Sequence, residues 1–357
     1  MACVLGLFLR RWAGARRYAR RMNILITGGS GFLGARLART LLQQGQLALN
    51  GGAARSITSV TLTDRAPPPD DLQADPRVRF VGGDLLELAS SRTLPAAGTD
   101  AVFHLAAAVS GECEADFDLG MRSNFAATHA LLEACRALGS KPLVVFASSL
   151  AVFGKQPGQP MPALIRDDTL PTPQSSYGIQ KLIGEHLVAD YTRKGFITGR
   201  SVRLMTVSVR PGRPNGAASG FLSGMIREPL AGVRAQVPVP AETVVALASP
   251  ARTVEGIIRA AAAPQADWGP LTGLNLPSLR TTVGEMAAAL ESVAGGSGTS
   301  LLDWTPDPAI QRLVSTWPGN VAWDRARGLG LAADTSFEQV VRDYVRENPS
   351  AVRIAVH

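Results

Sequence analysis

Tyr177 and Lys181 stand four residues apart in the run SYGIQK. On a helix that spacing puts a phenol and an ammonium on one face. Tyrosine ordinarily titrates near about pH 10. A cation a few ångströms away favours the phenolate and lowers that value. A tyrosine so acidified is a base able to take a hydroxyl proton near neutral pH. Ser149 closes the apolar run VVFASS, and its hydroxyl can bond and orient the same reacting oxygen. Its neighbour Ser148 points the other way. A strand-end cap is the plainer role for Ser149.

Upstream, the stretch from Thr27 to Gly34 reads TGGSGFLG. Glycines let a backbone turn tightly and approach a pyrophosphate, and the helix start that follows supplies free N–H groups and a positive dipole end. Placed between a strand and a helix, this string reads as a dinucleotide cradle built on Gly28, Gly31, Phe32, Leu33 and Gly34, with Tyr177 and Lys181 at the cofactor's nicotinamide end, where Lys181 can also hold the ribose. Asp64 ends the next strand. A carboxylate there accepts both hydroxyls of an adenosine ribose and repels a 2′-phosphate, which favours NAD over NADP, although Arg65 beside it could bind a phosphate. Asp64 lies 30 residues beyond Gly34, where the fingerprint expects about 20. The glycine-rich insert Gln44–Ala54 absorbs the difference. Asp84, followed by Leu85, reads as a helix cap, an adenine contact or both. Ala106 keeps a strand end small where bulk would block a cofactor, and His104 reads as a satisfied core histidine.

These residues need a scaffold of alternating strands and helices. Strands are expected at Asn23–Thr27, Ile57–Thr63, Val78–Gly82, Ala101–Ala106, Leu143–Ser148 and Arg200–Val209. Helices are expected at Phe32–Gln43, at about Cys113–Leu138 and at Ser175–Lys194. Short apolar runs bounded by turn residues suit parallel strands covered on both faces. Repeated β-α-β units imply a right-handed, doubly wound α/β sheet. Beyond Pro211 the rhythm changes. Helices follow at Pro250–Ala262 and Val283–Val293, and 295–300 (GGSGTS) reads as a loop. The division expected is 1–21 outside the fold, 22–210 a Rossmann domain, and 211–357 mainly a substrate lobe, with about 241–263 returning to the Rossmann domain.

The chain has 357 residues, 46% apolar and 18% charged, which excludes a disordered chain. At about 150 residues per domain this is two domains. No apolar run is long enough to span a membrane. The net charge is +7, but Arg10, Arg11, Arg16, Arg17, Arg20 and Arg21 account for all but +1 of it. The body is therefore nearly neutral and carries no nucleic-acid footprint. Residues 1–21 read as a transit-like segment or as sequence preceding a start at Met22. Three scattered cysteines form no disulfide or zinc spacing; they fit a reducing compartment, the cytoplasm. No metal is expected.

In this order and spacing, TGGSGFLG, Asp64, GGDLLE, HLAA, SSLAVFG and YGIQK resemble the extended short-chain dehydrogenase/reductase superfamily, the NAD-dependent epimerase/dehydratase group, over roughly residues 22–348. The resemblance implies a Rossmann domain with a small C-terminal lobe, NAD as cofactor, and commonly a homodimer through a four-helix bundle. It implies a catalytic set of Ser149, Tyr177 and Lys181, with Asn124 supporting a lysine–water proton relay. Dehydratases of the group carry an Asp-Glu pair directly after the serine position; Leu150 and Ala151 stand there here, so that elimination chemistry is missing. Three segments resemble those members that oxidise C2 of a four-carbon sugar acid with NAD: SYGIQKLIGEHLVADYTRKGFITGRSVRL, VRPGRPNGAASGFLSGMIREPLAG and LNLPSLRTTVGEM. A carboxylate substrate needs a cation, and Arg210, Arg213 and Asn215, with Ser219, are the candidates for that clamp. A structural acid paired with the arginines is the plainer reading. A nucleotide-sugar 4-epimerase and a uronate or aldose dehydrogenase remain as alternatives.

Overall fold

The structure, a computed structural model, describes residues 21–212 and 218–357. Its first part runs β1 (Met22–Thr27), α1 (Phe32–Gln44), β2 (Arg55–Asp64), β3 (Val78–Gly82), α2 (Leu85–Ser90), β4 (Ala101–His104), α3 (Ala127–Ala137), β5 (Leu143–Ser149), α4 (Ser176–Arg193) and β6 (Thr198–Leu204). These strands are parallel in the order β6-β5-β4-β1-β2-β3. The order reverses between β1 and β4, which opens a crevice at the carboxyl ends of the strands. Alternate residues serve opposite faces. Ile24, Ile26, Phe103 and Val145 pack into one buried cluster, with Leu37 and Leu41 of α1. Leu25, Val102, Val144 and Phe146 pack into another, with Leu131 of α3 and Val188 of α4. Double-sided burial is why the strands read as continuous apolar runs.

The remainder contributes β7 (Thr206–Val207), α5 (Gly220–Leu230), β8 (Val244–Ala248), α6 (Pro250–Ala262), β9 (Leu274–Asn275), β10 (Leu279–Thr282), α7 (Val283–Thr299), α8 (Pro308–Val314) and α9 (Phe337–Glu347). Strands β10, β8 and β7 form a separate sheet. A core of Leu222, Met225, Met286, Leu290, Phe337 and Val341 binds α5, α7 and α9 together. Helix α6 packs against β5 and β6, and its Val254, Ile257 and Ala261 join the cluster around α1. The insert before β2 docks there too: the amides of Asn50 and Gly51 bond the carbonyls of Ala261 and Ala262.

Four expected elements differ. The strand expected over Arg200–Val209 ends at Leu204. Leu204 pairs with Ser149, the last residue of β5, so the chain beyond it has no partner and crosses to β8. The helix expected over Cys113–Leu138 breaks at Asp116, whose carboxylate accepts the Leu119 amide. It then passes through a wider turn at Met121–Ala126 before α3. The strand expected to reach Ala106 ends at His104. The segment 295–300 is not a simple loop: α7 kinks at Gly295, at φ 60°, and coils on to Thr299. At that φ only glycine is unstrained.

Candidate active site

The turn after β1 is sterically committed. Gly28 sits at φ 68°, and a Cβ on it would lie 2.8 Å from the Ala106 amide nitrogen. A Cβ on Gly34 would lie 2.1 Å from the Gly28 carbonyl oxygen. Both positions therefore require glycine. Helix α1 begins with no side-chain cap and no acid in its first turn. Its leading amides and dipole end face the crevice free to meet an anion. The Asp64 carboxylate is fixed by the amides of Ser30 at 3.1 Å and Arg65 at 2.8 Å. Asp84 caps α2 through the Leu86 amide at 2.8 Å and pairs with Arg122 at 3.3 Å. Burial works to raise its pKa, but the Leu86 amide and Arg122 outweigh it and leave the group below the ordinary carboxylate range. Glycines that admit no side chain, an uncapped helix start and an anchored carboxylate fit a dinucleotide.

One cavity of about 650 Å³ joins this cradle to the other candidates. Gly28, Gly31, Phe32, Leu33, Gly34, Asp64, Asp84, Leu85 and Ala106 line it, and so do Ser149, Tyr177, Lys181 and Arg210. Asn124 does not. It is buried, its Oδ1 accepting the Ala108 amide and its Nδ2 meeting the Ala108 carbonyl and Gln180. It forms no hydrogen bond with Lys181. Arg213 and Asn215 lie outside the described residues. Ser148 also lines the cavity, but its hydroxyl is committed to Glu185, to which it donates. His104 is buried between Thr27 and Thr128, at 2.7 and 2.9 Å. Burial pushes its pKa down to about 3, so it is neutral at physiological pH.

The proton-handling groups differ from expectation in one respect. Lys181 is buried, donates to the Ala147 carbonyl at 2.9 Å and lies 5.6 Å from the centre of the Tyr177 ring. Burial lowers its pKa to about 8. Burial pushes the Tyr177 phenol up to about 12, while the Ser149 hydroxyl and the charge of Arg210 pull it down. The phenol is thus not acidified by its lysine neighbour in the protein alone, because desolvation outweighs the nearby charge. The cation that does lower it is Arg210.

Arg210 carries the feature that sequence could not settle. Its guanidinium is partly buried, lines the cavity, and pairs with no carboxylate among the described residues. Sequence reasoning also missed Leu313 and Trp317, which line the cavity from α8 and the turn after it. Nothing local in a helix end marks it as the wall of a distant crevice. Among the described residues no group of three His, Cys, Asp or Glu side chains is arranged to hold a metal, and no helix is long and apolar enough to cross a membrane.

Residues 24–245 match the NAD dependent epimerase/dehydratase family. Two curated relatives are D-erythronate dehydrogenases. The protein from Cupriavidus necator is 48% identical over 91% of this chain and 98% of the relative. The protein from Haemophilus influenzae is 40% identical over 91% and 99%. Among solved structures, a nucleoside-diphosphate-sugar epimerase from Agrobacterium tumefaciens superposes with a TM-score of 0.82 at 37% identity, covering 96% of this chain and 99% of that one. L-threonine 3-dehydrogenase from Trypanosoma brucei, at 23% identity and a TM-score of 0.76, shares the fold.

Proposed function

This chain belongs to the NAD dependent epimerase/dehydratase family, and from that premise we propose that it oxidises the C2 hydroxyl of D-erythronate, a four-carbon sugar acid, to the 2-oxo acid. The observation that carries the substrate class is Arg210, a guanidinium in the cavity wall that has no acidic partner among the described residues and faces Tyr177. An unpaired, partly desolvated cation is costly, and a ligand carboxylate relieves it bidentately. Arg213 and Asn215 complete the clamp in this reading.

NAD would be held along Gly28–Gly34 with its ribose on Asp64, and when bound it supplies the acceptor for the two electrons leaving C2. The protein's own residues do the rest. Ser149 bonds the C2 hydroxyl and orients it. Tyr177 removes its proton. Lys181, tethered to the Ala147 carbonyl, faces the tyrosine ring and passes the proton towards solvent, with Asn124 shaping the buried wall behind. A homodimer completes the reading, supported by the exposed Phe117 and Ile179 on adjoining helical segments, and the location proposed is the cytoplasm.

Mixing the protein with NAD and D-erythronate should give stoichiometric NADH absorbance; an inert response across four- to six-carbon aldonates would sink the assignment. The likeness to the Agrobacterium epimerase favours a second reading, sugar epimerisation. That enzyme would retain NAD and show no net NADH while inverting a nucleotide sugar. Asp64→Ala should raise KM for NAD by about tenfold and narrow its preference over NADP, since a charge-assisted hydrogen bond is worth about 1.5–3 kcal/mol. Unchanged KM values for both nucleotides would remove Asp64 from the ribose site.

A further inference from the structure

Arg210 is held by a single stripe of α5. Ser219, at the residue just before the helix, is followed at four-residue intervals by Ser223 and Arg227, so the three side chains lie along one face. Each meets a different part of Arg210. The Ser219 hydroxyl contacts the guanidinium Nη2 at 3.4 Å. The Ser223 hydroxyl accepts the Arg210 amide at 3.1 Å. Arg227 Nη1 donates to the Arg210 carbonyl at 2.9 Å.

Arg227 is buried, and its Nη2 pairs with the Glu228 carboxylate. The other oxygen of Glu228 is buried without a partner and stands against Gly224, where a Cβ would approach it to 2.8 Å. Only Arg227 pairs with that carboxylate, so among the described residues the charge of Arg210 at the cavity wall has no acid to offset it. Burial and the charge of Arg227 both act against the charge of Arg210. An arrangement kept at that cost suits a ligand that brings its own negative charge.

We infer that Arg227 is a positioning residue for the carboxylate of the substrate: it fixes the Arg210 main chain from behind, so that the Arg210 guanidinium stands ready in the cavity wall. The inference rests on the sugar-acid reading of the site. It implies recognition of the acid by charge rather than by shape, so a neutral analogue with the same carbon chain should not feel Arg227.

The test compares D-erythronate with its uncharged amide in wild type, Arg227→Met, Arg227→Lys and Ser223→Ala. Dissociation of NAD is measured by calorimetry alongside. Arg227→Met should raise KM for the acid by about tenfold or more, as expected for losing a bond to a charged group, with kcat much less affected. KM for the amide and the NAD dissociation constant should stay within about twofold. Arg227→Lys, which keeps a charged donor, should restore part of the preference for the acid. Equal losses on acid and amide, or an unchanged KM for the acid, would overturn the inference. Should Arg227→Met fail to fold, Ser223→Ala removes one hydroxyl and must show the same bias, a rise in KM confined to the acid. Wild type inert towards both compounds defeats the sugar-acid reading itself. Wild type active with Arg227 variants unchanged defeats this inference alone.

Discussion

Tyr177→Phe should lower kcat for D-erythronate oxidation on the order of 10²–10⁴, the usual range for losing a general base, with NAD affinity nearly unchanged. The phenol lines the cavity beside Ser149 and Arg210, and phenylalanine keeps its ring packing while deleting the proton acceptor. Burial places the phenol at about 12, so the phenolate fraction is small at neutral pH and grows as pH rises. The rate should therefore climb with pH through the neutral and alkaline range. Arg210 lowers the phenol pKa. Arg210→Met should then shift this limb to higher pH, as well as raising KM for the acid. Stopped-flow NADH absorbance across pH reads both effects. A Tyr177→Phe enzyme within about threefold of wild type would remove the phenol from the chemistry. A limb unmoved in Arg210→Met would show that Arg210 acts on substrate alone.

Much of the scaffold was legible because its signals are local. The parallel strands announce themselves as apolar runs, α6 begins at Pro250 and ends at Ala262 as its periodicity indicates, and the glycine string marks the turn into α1. Failures fell where tertiary partners decide. Nothing in SVRLMTVSV shows that β5 ends opposite Leu204, so the strand reads on to Val209. GGSGTS reads as a loop, yet Gly298 packs against Ala294 and Leu290 and the coil continues. At the site, the i,i+4 pairing of Tyr177 and Lys181 was visible, but the sign of the tyrosine shift was not. That sign depends on desolvation by residues far apart in sequence. Whether Arg210 met an acid was equally a long-range matter, decided by which carboxylates the fold brings near it.

The same limit hid a buried ion pair beneath the site, and its removal should have the largest effect on stability. Glu185 grips Arg203 through two bonds, at 2.9 and 2.8 Å, with both side chains almost wholly shielded from solvent. Glu185 follows Lys181 by four residues on α4 and also takes the Ser148 hydroxyl, next to Ser149. Arg203 reaches the Asp167 carbonyl at 3.2 Å and lies over the Phe153 ring at 4.8 Å. The pair thus ties β5, α4 and β6 together at the point where Ser149, Tyr177 and Lys181 must converge. A Cβ on Gly273 would stand 2.6 Å from Arg203 Nε, so the backbone there packs directly against the pair. Glu185→Ala strands a buried guanidinium and a serine hydroxyl, and should cost about 3–5 kcal/mol. The exposed pair Arg193–Asp190 on the same helix should contribute about 0–1 kcal/mol. Guanidinium denaturation measures both. Glu185→Met with Arg203→Met together should recover most of the loss, because an apolar pair leaves no orphaned charge. If Glu185→Ala lost no more than the surface pair, the ion pair would be dispensable, and the convergence of the site residues would have to be enforced by packing of α4 alone.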